Sequence, residues 1–87
     1  LFEKNDLVII ISSSGNSKNV KELVKYSKKK GVKIIGFSGF KGGYLKKYSD
    51  ISIHIPADNY GISEDSHHIL MHIILQYLIL KQKNKAI

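Results

Sequence analysis

The densest group of residues able to do chemistry follows directly after a run of five aliphatic residues, 7–11. Five of the next six positions carry a hydroxyl or an amide, namely Ser12, Ser13, Ser14, Asn16 and Ser17. Rotatable hydroxyls can donate hydrogen bonds to phosphate oxygens, and a following helix adds free N–H groups and partial positive charge. Gly15 lets the backbone approach a ligand closely. A helix N-cap needs only one such residue, so we predict that this loop binds phosphate.

A second group of polar side chains lies in the last third of the chain. Glu64, His68 and His72 recur at every fourth position of a predicted helix, so each is about 6 Å along the axis from the next. This spacing favours His68 and His72 as a pair of metal ligands. Taken alone, His72 is better explained as a hydrogen-bonded core histidine, so the spacing leaves both interpretations open.

Three short apolar runs predict strands, at 7–11, 33–37 and 51–55. The first has no polar residue, which is typical of a strand buried on both faces of a parallel sheet. The third alternates polar and apolar residues, as an edge strand does.

Helices are predicted between and after these strands. Val20, Leu23 and Val24 have helical spacing, and Gly31 follows at a C-capping position, which indicates a helix over 17–30. A short helix is expected at 44–48. After a loop at 59–61, the apolar residues of 63–81 cover almost the whole helix circumference, which predicts burial on several sides.

The alternation of strands and helices predicts an α/β fold with a parallel sheet. In such sheets ligands bind beyond the carboxyl ends of the strands, where the serine-rich loop lies. Gly36, Gly39, Gly42 and Gly43 fit turns better than a second anion site. The nucleotide motifs GxGxxG and GxxxxGK[ST] do not occur after the first strand or elsewhere, so no nucleotide cofactor is expected.

Amino-acid composition limits the remaining classes of protein to which the chain could belong. The 87 residues contain no cysteine, which predicts a cytoplasmic protein without disulfides or thiolate metal sites. The opening LFEKND does not resemble a signal peptide. The longest apolar stretch, 69–80, is too short to span a bilayer, so no membrane association is expected.

Fourteen lysines against seven acidic residues give a net charge of +7. Most of the lysines lie in two groups. The outer face of the first helix carries Lys18, Lys21, Lys25, Lys28, Lys29 and Lys30, and a polar tail carries Lys81, Lys83 and Lys85. We interpret the basic face as solvated and expect no nucleic-acid partner, because aromatic residues that could stack bases do not alternate with these lysines.

The stretch DLVIIISSSGNSKNVKELVKYSKKKGVKIIGFSGFKGGYLKKYSDISIHIPADN resembles the sugar isomerase (SIS) domain. The later ISEDSHHILMHIILQYL resembles the closing helix of its phosphoheptose isomerase branch. The similarity covers residues 1–87 but only the second half of that domain. It implies a partial SIS domain with a Rossmann-like, three-layer αβα sandwich that binds sugar phosphate and assembles as dimers or tetramers.

The resemblance also implies roles for individual residues. The phosphate-binding serines of the family match Ser12, Ser13, Ser14 and Ser17. A glutamine and a histidine that lie near zinc in the family match Glu64 and His72, and Glu64 departs from the family pattern. His72 is then the catalytic acid or base and a zinc ligand together with Glu64. His67 matches a family histidine outside the metal shell, so we expect it to pack.

These residues imply an aldose–ketose isomerase of the sedoheptulose 7-phosphate type, which moves a proton between adjacent carbons through an enediol. The base that would pair with His72 belongs to the family's first half, so we expect the 87 residues alone to be inactive. The alternative is a phosphosugar-sensing SIS module that binds ligand without chemistry.

Overall fold

A computed structural model describes residues 6–86, with side chains described for 6–82. The opening residues 1–5, on which the expectation about a signal peptide rests, lie outside this part. The elements are β1 (Leu7–Ser12), α1 (Lys18–Lys29), β2 (Lys33–Ser38), α2 (Gly43–Tyr48), β3 (Ile51–His54) and α3 (Tyr60–Ala86). The strands form one parallel sheet in the order β1-β2-β3. The predicted α/β class is confirmed, and β3 lies at an edge as its alternation indicated.

Helices lie on both faces of this sheet. On one face, α1 and α2 enclose a core of Ile10, Val24, Ile34 and Leu45. Because successive strand residues point to opposite faces, Phe37 of β2 lies on the other face. There its fully buried ring meets the imidazole of His67 in α3, edge to face, with centroids 5.8 Å apart. The three layers are therefore helix, sheet and helix.

The helix predicted over 17–30 is confirmed as α1. The Ser17 hydroxyl caps its N-terminus by accepting a hydrogen bond from the Val20 N–H at 3.2 Å. The helix ends at Lys29 with Lys30 as its C-cap, and Gly31 follows with a φ of +72°, a conformation that favours glycine. No acidic residue lies in the first turn, so the positive end of the helix stays available to a bound anion.

Burial of β1 on both faces, as its five aliphatic residues predict, is not found among the described residues. Ile10 is 5% exposed, whereas Leu7 and Ile11 are 54% and 48% exposed. Within the described residues β1 pairs only with β2, and the packed core lies on its α1 face. The other face of β1 carries apolar side chains without a described cover.

The start predicted for the last helix is wrong. It begins at Tyr60, within the expected loop, because Asn59 acts as its cap: the side-chain oxygen accepts from Ile62 N–H at 3.1 Å and the carbonyl from Ser63 N–H at 3.0 Å. Within the described part of the chain the helix is exposed on most sides, with Ile69 61% exposed, so the burial predicted for it needs protein beyond these elements. A three-stranded sheet is too small to cover a 27-residue helix.

Candidate functional site

The serine-rich loop is held by its own hydroxyls. The Ser12 hydroxyl accepts a hydrogen bond from Gly15 N–H at 3.0 Å, and the Ser14 hydroxyl accepts from Asn16 N–H at 3.3 Å. Ser17 caps α1 in the same manner. A hydroxyl that accepts a hydrogen bond keeps its own hydrogen, so these three side chains can still donate to an anion. The loop is thus preformed around groups that suit a phosphate.

Contacts with the glycine-rich turn before α2 fix the shape of the loop. Gly15 has a φ of +67°, and a Cβ atom there would lie 2.1 Å from the Gly42 carbonyl oxygen. The Asn16 side-chain oxygen accepts a hydrogen bond from the Tyr44 N–H at 2.8 Å. Asn16 therefore lies in the loop as predicted, but its oxygen is used to join two loops, which leaves its NH₂ group for a ligand.

A cavity of about 370 Å³ opens between the serine-rich loop and α3. This volume is within the usual range for small-molecule sites. Its lining combines polar groups from both elements with two apolar side chains: Ile11, Ser12, Ser13, Glu64, His67, His68 and Met71. Ser12, Ser13 and Glu64 from the predicted site are therefore brought together at this cavity, whereas His72 is not part of its lining.

His67 anchors α3 to the sheet. It is 2% exposed, and its Nε2 donates to the Ser38 carbonyl oxygen at 2.9 Å. This burial fits the packing role expected from the sequence. Its Nδ1 atom and the Ser63 hydroxyl one turn earlier are buried without a protein hydrogen-bond partner among the described residues.

His72 lies one turn after His68 on α3. It is beside a second cavity of about 280 Å³ whose lining is His68, Met71, His72 and Leu75. His68 lines both cavities, and its ring centroid is 6.5 Å from that of His72. Glu64 and His72 thus line different cavities. In the described part of the chain, no three His, Cys, Asp or Glu side chains are grouped to hold a metal ion. His68 and His72 are imidazoles, a donor type that zinc accepts, and they lie side by side.

Sequence reasoning missed the pairing of Ser38 with His54. Its hydroxyl is 3.0 Å from Nδ1 of His54 in β3, a contact between neighbouring strands at parallel register. Burial, with a smaller contribution from the Lys46 charge, lowers the pKa of His54 below its ordinary value of 6.5. The register between β2 and β3 was the only signal that could have predicted this pair.

Tyrosine rings lie close to lysines on α1 and α2, although the sequence predicted no aromatic residues among the lysines of the basic face. The Lys25 ammonium is 5.9 Å from the Tyr44 ring, and Lys47 is 5.4 Å from the Tyr48 ring. Tyr44 and Tyr48 also contact each other, with centroids 4.3 Å apart. Lysines and a neighbouring ring already contact these rings, so they are not open platforms for bases. The absence of a nucleic-acid partner stays a prediction.

The fold and the loop define the class: a parallel α/β domain with its candidate site beyond the carboxyl end of the first strand and at the N-terminus of the first helix. The chain belongs to the SIS domain family, whose family model matches residues 1–82. This confirms the family to which the serine-rich loop pointed.

Two individual relatives show which members of the family this chain is similar to. The chain is 38% identical over 76 residues to a phosphoheptose isomerase of Campylobacter concisus and 39% identical over 74 residues to a probable phosphoheptose isomerase of Thermoplasma acidophilum. Those alignments cover 87% and 85% of this chain but 40% and 41% of the relatives. The chain thus spans about two fifths of the length of these relatives.

Solved structures give the same result for the fold. A phosphoheptose isomerase from Francisella tularensis superposes with a TM-score of 0.79 at 28% identity, covering 84% of this chain and 40% of that one. One from Neisseria gonorrhoeae gives a TM-score of 0.75 at 30% identity, covering 78% and 39%. The described helices include none that is long and apolar enough to cross a membrane.

Proposed function

We propose that this chain is part of a phosphosugar isomerase of the phosphoheptose isomerase type, which interconverts the ketose sedoheptulose 7-phosphate and an aldoheptose 7-phosphate. The observation that carries the proposal is the 38% identity, over 87% of this chain, to a relative of that name. The preformed serine-rich loop and the adjoining cavity support this proposal, because their hydroxyl donors suit a phosphate.

In this proposal the substrate phosphate binds at the N-terminus of α1. The hydroxyls of Ser12, Ser13, Ser14 and Ser17 donate to its oxygens, as does the NH₂ group of Asn16. The helix terminus contributes free N–H groups and about half a unit of positive charge. Several fixed donors in one loop bind the phosphate without requiring a lysine side chain in the site.

The reaction moves one proton from a hydroxyl-bearing carbon to the adjacent carbonyl carbon, while a second proton moves between their oxygens, through an enediol. No net oxidation occurs, so acid and base groups suffice. We assign His72 as one of these groups. The reacting carbons lie at the opposite end of the sugar chain from the phosphate, which suits a histidine one turn beyond the cavity next to the serine-rich loop.

The remaining parts of the site are proposed to come from outside the described residues. The base that pairs with His72 belongs to the other three fifths of the relatives' length. Zinc, if bound by Glu64 and His72, would polarise the substrate oxygen that gains charge. Exposed apolar residues of α3, such as Ile73 and Leu80, suit packing against further protein, and a homo-oligomer stays a prediction. A cytoplasmic location stays a prediction.

Turnover of sedoheptulose 7-phosphate by the intact protein tests this function. His72→Asn should lower the rate by about 10²- to 10⁴-fold while leaving phosphate binding nearly unchanged, as expected for loss of an acid or base. Binding without turnover in the unsubstituted protein would instead support the sensing module. Wild-type turnover in His72→Asn would remove His72 from the mechanism.

A further inference from the structure

His68 lies where two cavities beside α3 meet. It lines the cavity next to the serine-rich loop and also the cavity next to His72. Among the described residues that line them, Met71 is the other one common to both. The His68 side chain is exposed, and it is one helical turn, about 6 Å of axial rise, from Glu64 and from His72. His68 therefore lies midway between the two ends of the candidate site.

The two cavities offer different groups to a ligand. The first has the Ser12 and Ser13 hydroxyls close to the positive end of α1, and the second has the imidazole of His72. In the proposed function the phosphate lies at the first and the reacting carbons near the second. A substrate that extends from one to the other places its middle carbons against His68 and Met71.

The side chains shared by the two cavities suit the middle of a sugar chain, where each carbon carries a hydroxyl and a C–H group. An imidazole has an N–H donor in either protonation state and, when neutral, an acceptor nitrogen as well, so His68 can pair with a hydroxyl. Met71 is half-buried, and its flexible thioether side chain can pack against C–H groups. Together they can contact both the polar and the apolar side of the chain.

Glu64 favours the same direction for the substrate. Its carboxylate lines the cavity next to the serine-rich loop from the α3 side, one turn before His68. Like charges repel, so a phosphate is disfavoured at α3 and favoured at the loop. An ionised carboxylate only accepts hydrogen bonds, and hydroxyl groups can donate to it. The α3 wall of the site is thus built for hydroxyls, and the loop for phosphate.

We infer that His68 is a specificity-determining residue that hydrogen-bonds to a hydroxyl in the middle of the sugar chain, a role that rests on the proposed function for the direction in which the substrate lies. His68 then contributes to the affinity for a long-chain sugar phosphate and not to the affinity for phosphate itself. It takes no part in the proton transfer assigned to His72.

Calorimetric titration of two probes into the intact protein tests this role. Inorganic phosphate fits at the serine-rich loop alone, whereas sedoheptulose 7-phosphate also passes His68. Loss of one hydrogen bond in His68→Leu should weaken binding of the sugar phosphate by about 3- to 10-fold and leave phosphate affinity unchanged. His68→Gln, which again offers a donor and an acceptor, should recover part of the loss. A purely structural role would weaken both probes together.

The matched control is Gln76→Leu, which places the same new side chain at an exposed position of α3 that lines neither cavity. We expect it to bind both probes as the wild type does. In turnover, His68→Leu should raise KM with little change in kcat, as expected for lost substrate binding.

Three results would overturn the role of His68: wild-type affinity of His68→Leu for the sugar phosphate, equal weakening of both probes, or a loss confined to kcat. A wild type that binds sedoheptulose 7-phosphate without turning it over would contradict the proposed isomerase, while the two affinities of His68→Leu would still decide the role of His68. No binding of the sugar phosphate by the wild type would overturn both.

Discussion

The Nε2 atom of His67 lies 2.9 Å from the Ser38 carbonyl oxygen, so α3 is hydrogen-bonded to the carboxyl end of the central strand. The same carbonyl accepts a hydrogen bond from the Ile55 N–H at 2.9 Å. One backbone oxygen therefore joins the last helix, the central strand and the segment after β3. This contact holds Glu64 and His68, which flank His67 on α3, opposite the serine-rich loop.

His67→Ala is expected to lower the free energy of unfolding by about 2 kcal/mol or more, because it removes a buried hydrogen bond and the packing against Phe37. His67→Gln is the control, since its side-chain amide can still donate near the position of Nε2. We expect the glutamine variant to recover part of the loss and to keep most of the activity. Urea unfolding measures the free energy of unfolding of both variants. Equal losses in His67→Ala and His67→Gln would show that the hydrogen bond contributes little.

Two glycines with similar backbone angles provide a test of the loop packing. Gly15→Ala and Gly31→Ala both place a side chain at positive φ, which costs about 1–2 kcal/mol. A Cβ atom at Gly31 meets nothing within 4 Å, whereas one at Gly15 collides with the Gly42 carbonyl. Denaturant unfolding should therefore show a clearly larger loss for Gly15→Ala, together with loss of phosphate binding. Similar losses in both variants would contradict the close approach of the two loops.

Asn16 has two separable roles, one in loop structure and one in ligand binding. Asn16→Ala should cost about 1 kcal/mol of stability, because the Tyr44 N–H loses its partner. Asn16→Asp keeps the acceptor oxygen but adds a negative charge beside the expected phosphate. It should therefore be nearly as stable as wild type yet bind sugar phosphate more weakly. Unchanged affinity in Asn16→Asp would place the phosphate elsewhere.

His54 predicts how stability depends on pH. Burial, followed by the Lys46 charge, lowers its pKa in the folded state below 6.5, so the unfolded chain binds more protons at mildly acidic pH. The free energy of unfolding should therefore be highest above about pH 6.5 and decrease as the pH falls through the lowered pKa. His54→Gln should show a smaller decrease in urea unfolding between pH 7 and pH 5. An identical pH profile in the variant would assign the dependence to other groups.

Much of the fold could be predicted because local patterns and the sheet agree. The five aliphatic residues 7–11, the helical spacing of Val20, Leu23 and Val24, and Gly31 each predict an element that the structure contains. The start of α3 could not be predicted from Gly61, because the capping hydrogen bonds of Asn59 outweigh the low helix propensity of glycine.

The burial of a strand or helix depends on the elements around it, and not on its own sequence pattern alone. Residues 7–11 and the apolar circumference of α3 indicate what a protein can bury, but the actual cover depends on neighbouring elements. In the described residues β1 is an edge strand, and α3 contacts the sheet through His67. The candidate site shows the same limit: the serine-rich loop was predictable from adjacent residues, whereas the shared cavity of Ser12, Glu64 and His68 depends on how α3 crosses the sheet.

The most direct test of the central claim is calorimetric titration of sedoheptulose 7-phosphate into the intact protein and its Ser14→Ala variant. Charge-assisted hydrogen bonds contribute about 1.5–3 kcal/mol each, so removing this hydroxyl should weaken binding about tenfold or more. Ser14 is half-buried and its hydroxyl accepts one long hydrogen bond, from the Asn16 N–H at 3.3 Å, so the variant is expected to fold. Tight binding by the wild type with tenfold weaker binding by the variant is the result the account predicts. Equal affinities, or no binding by the wild type, would contradict it.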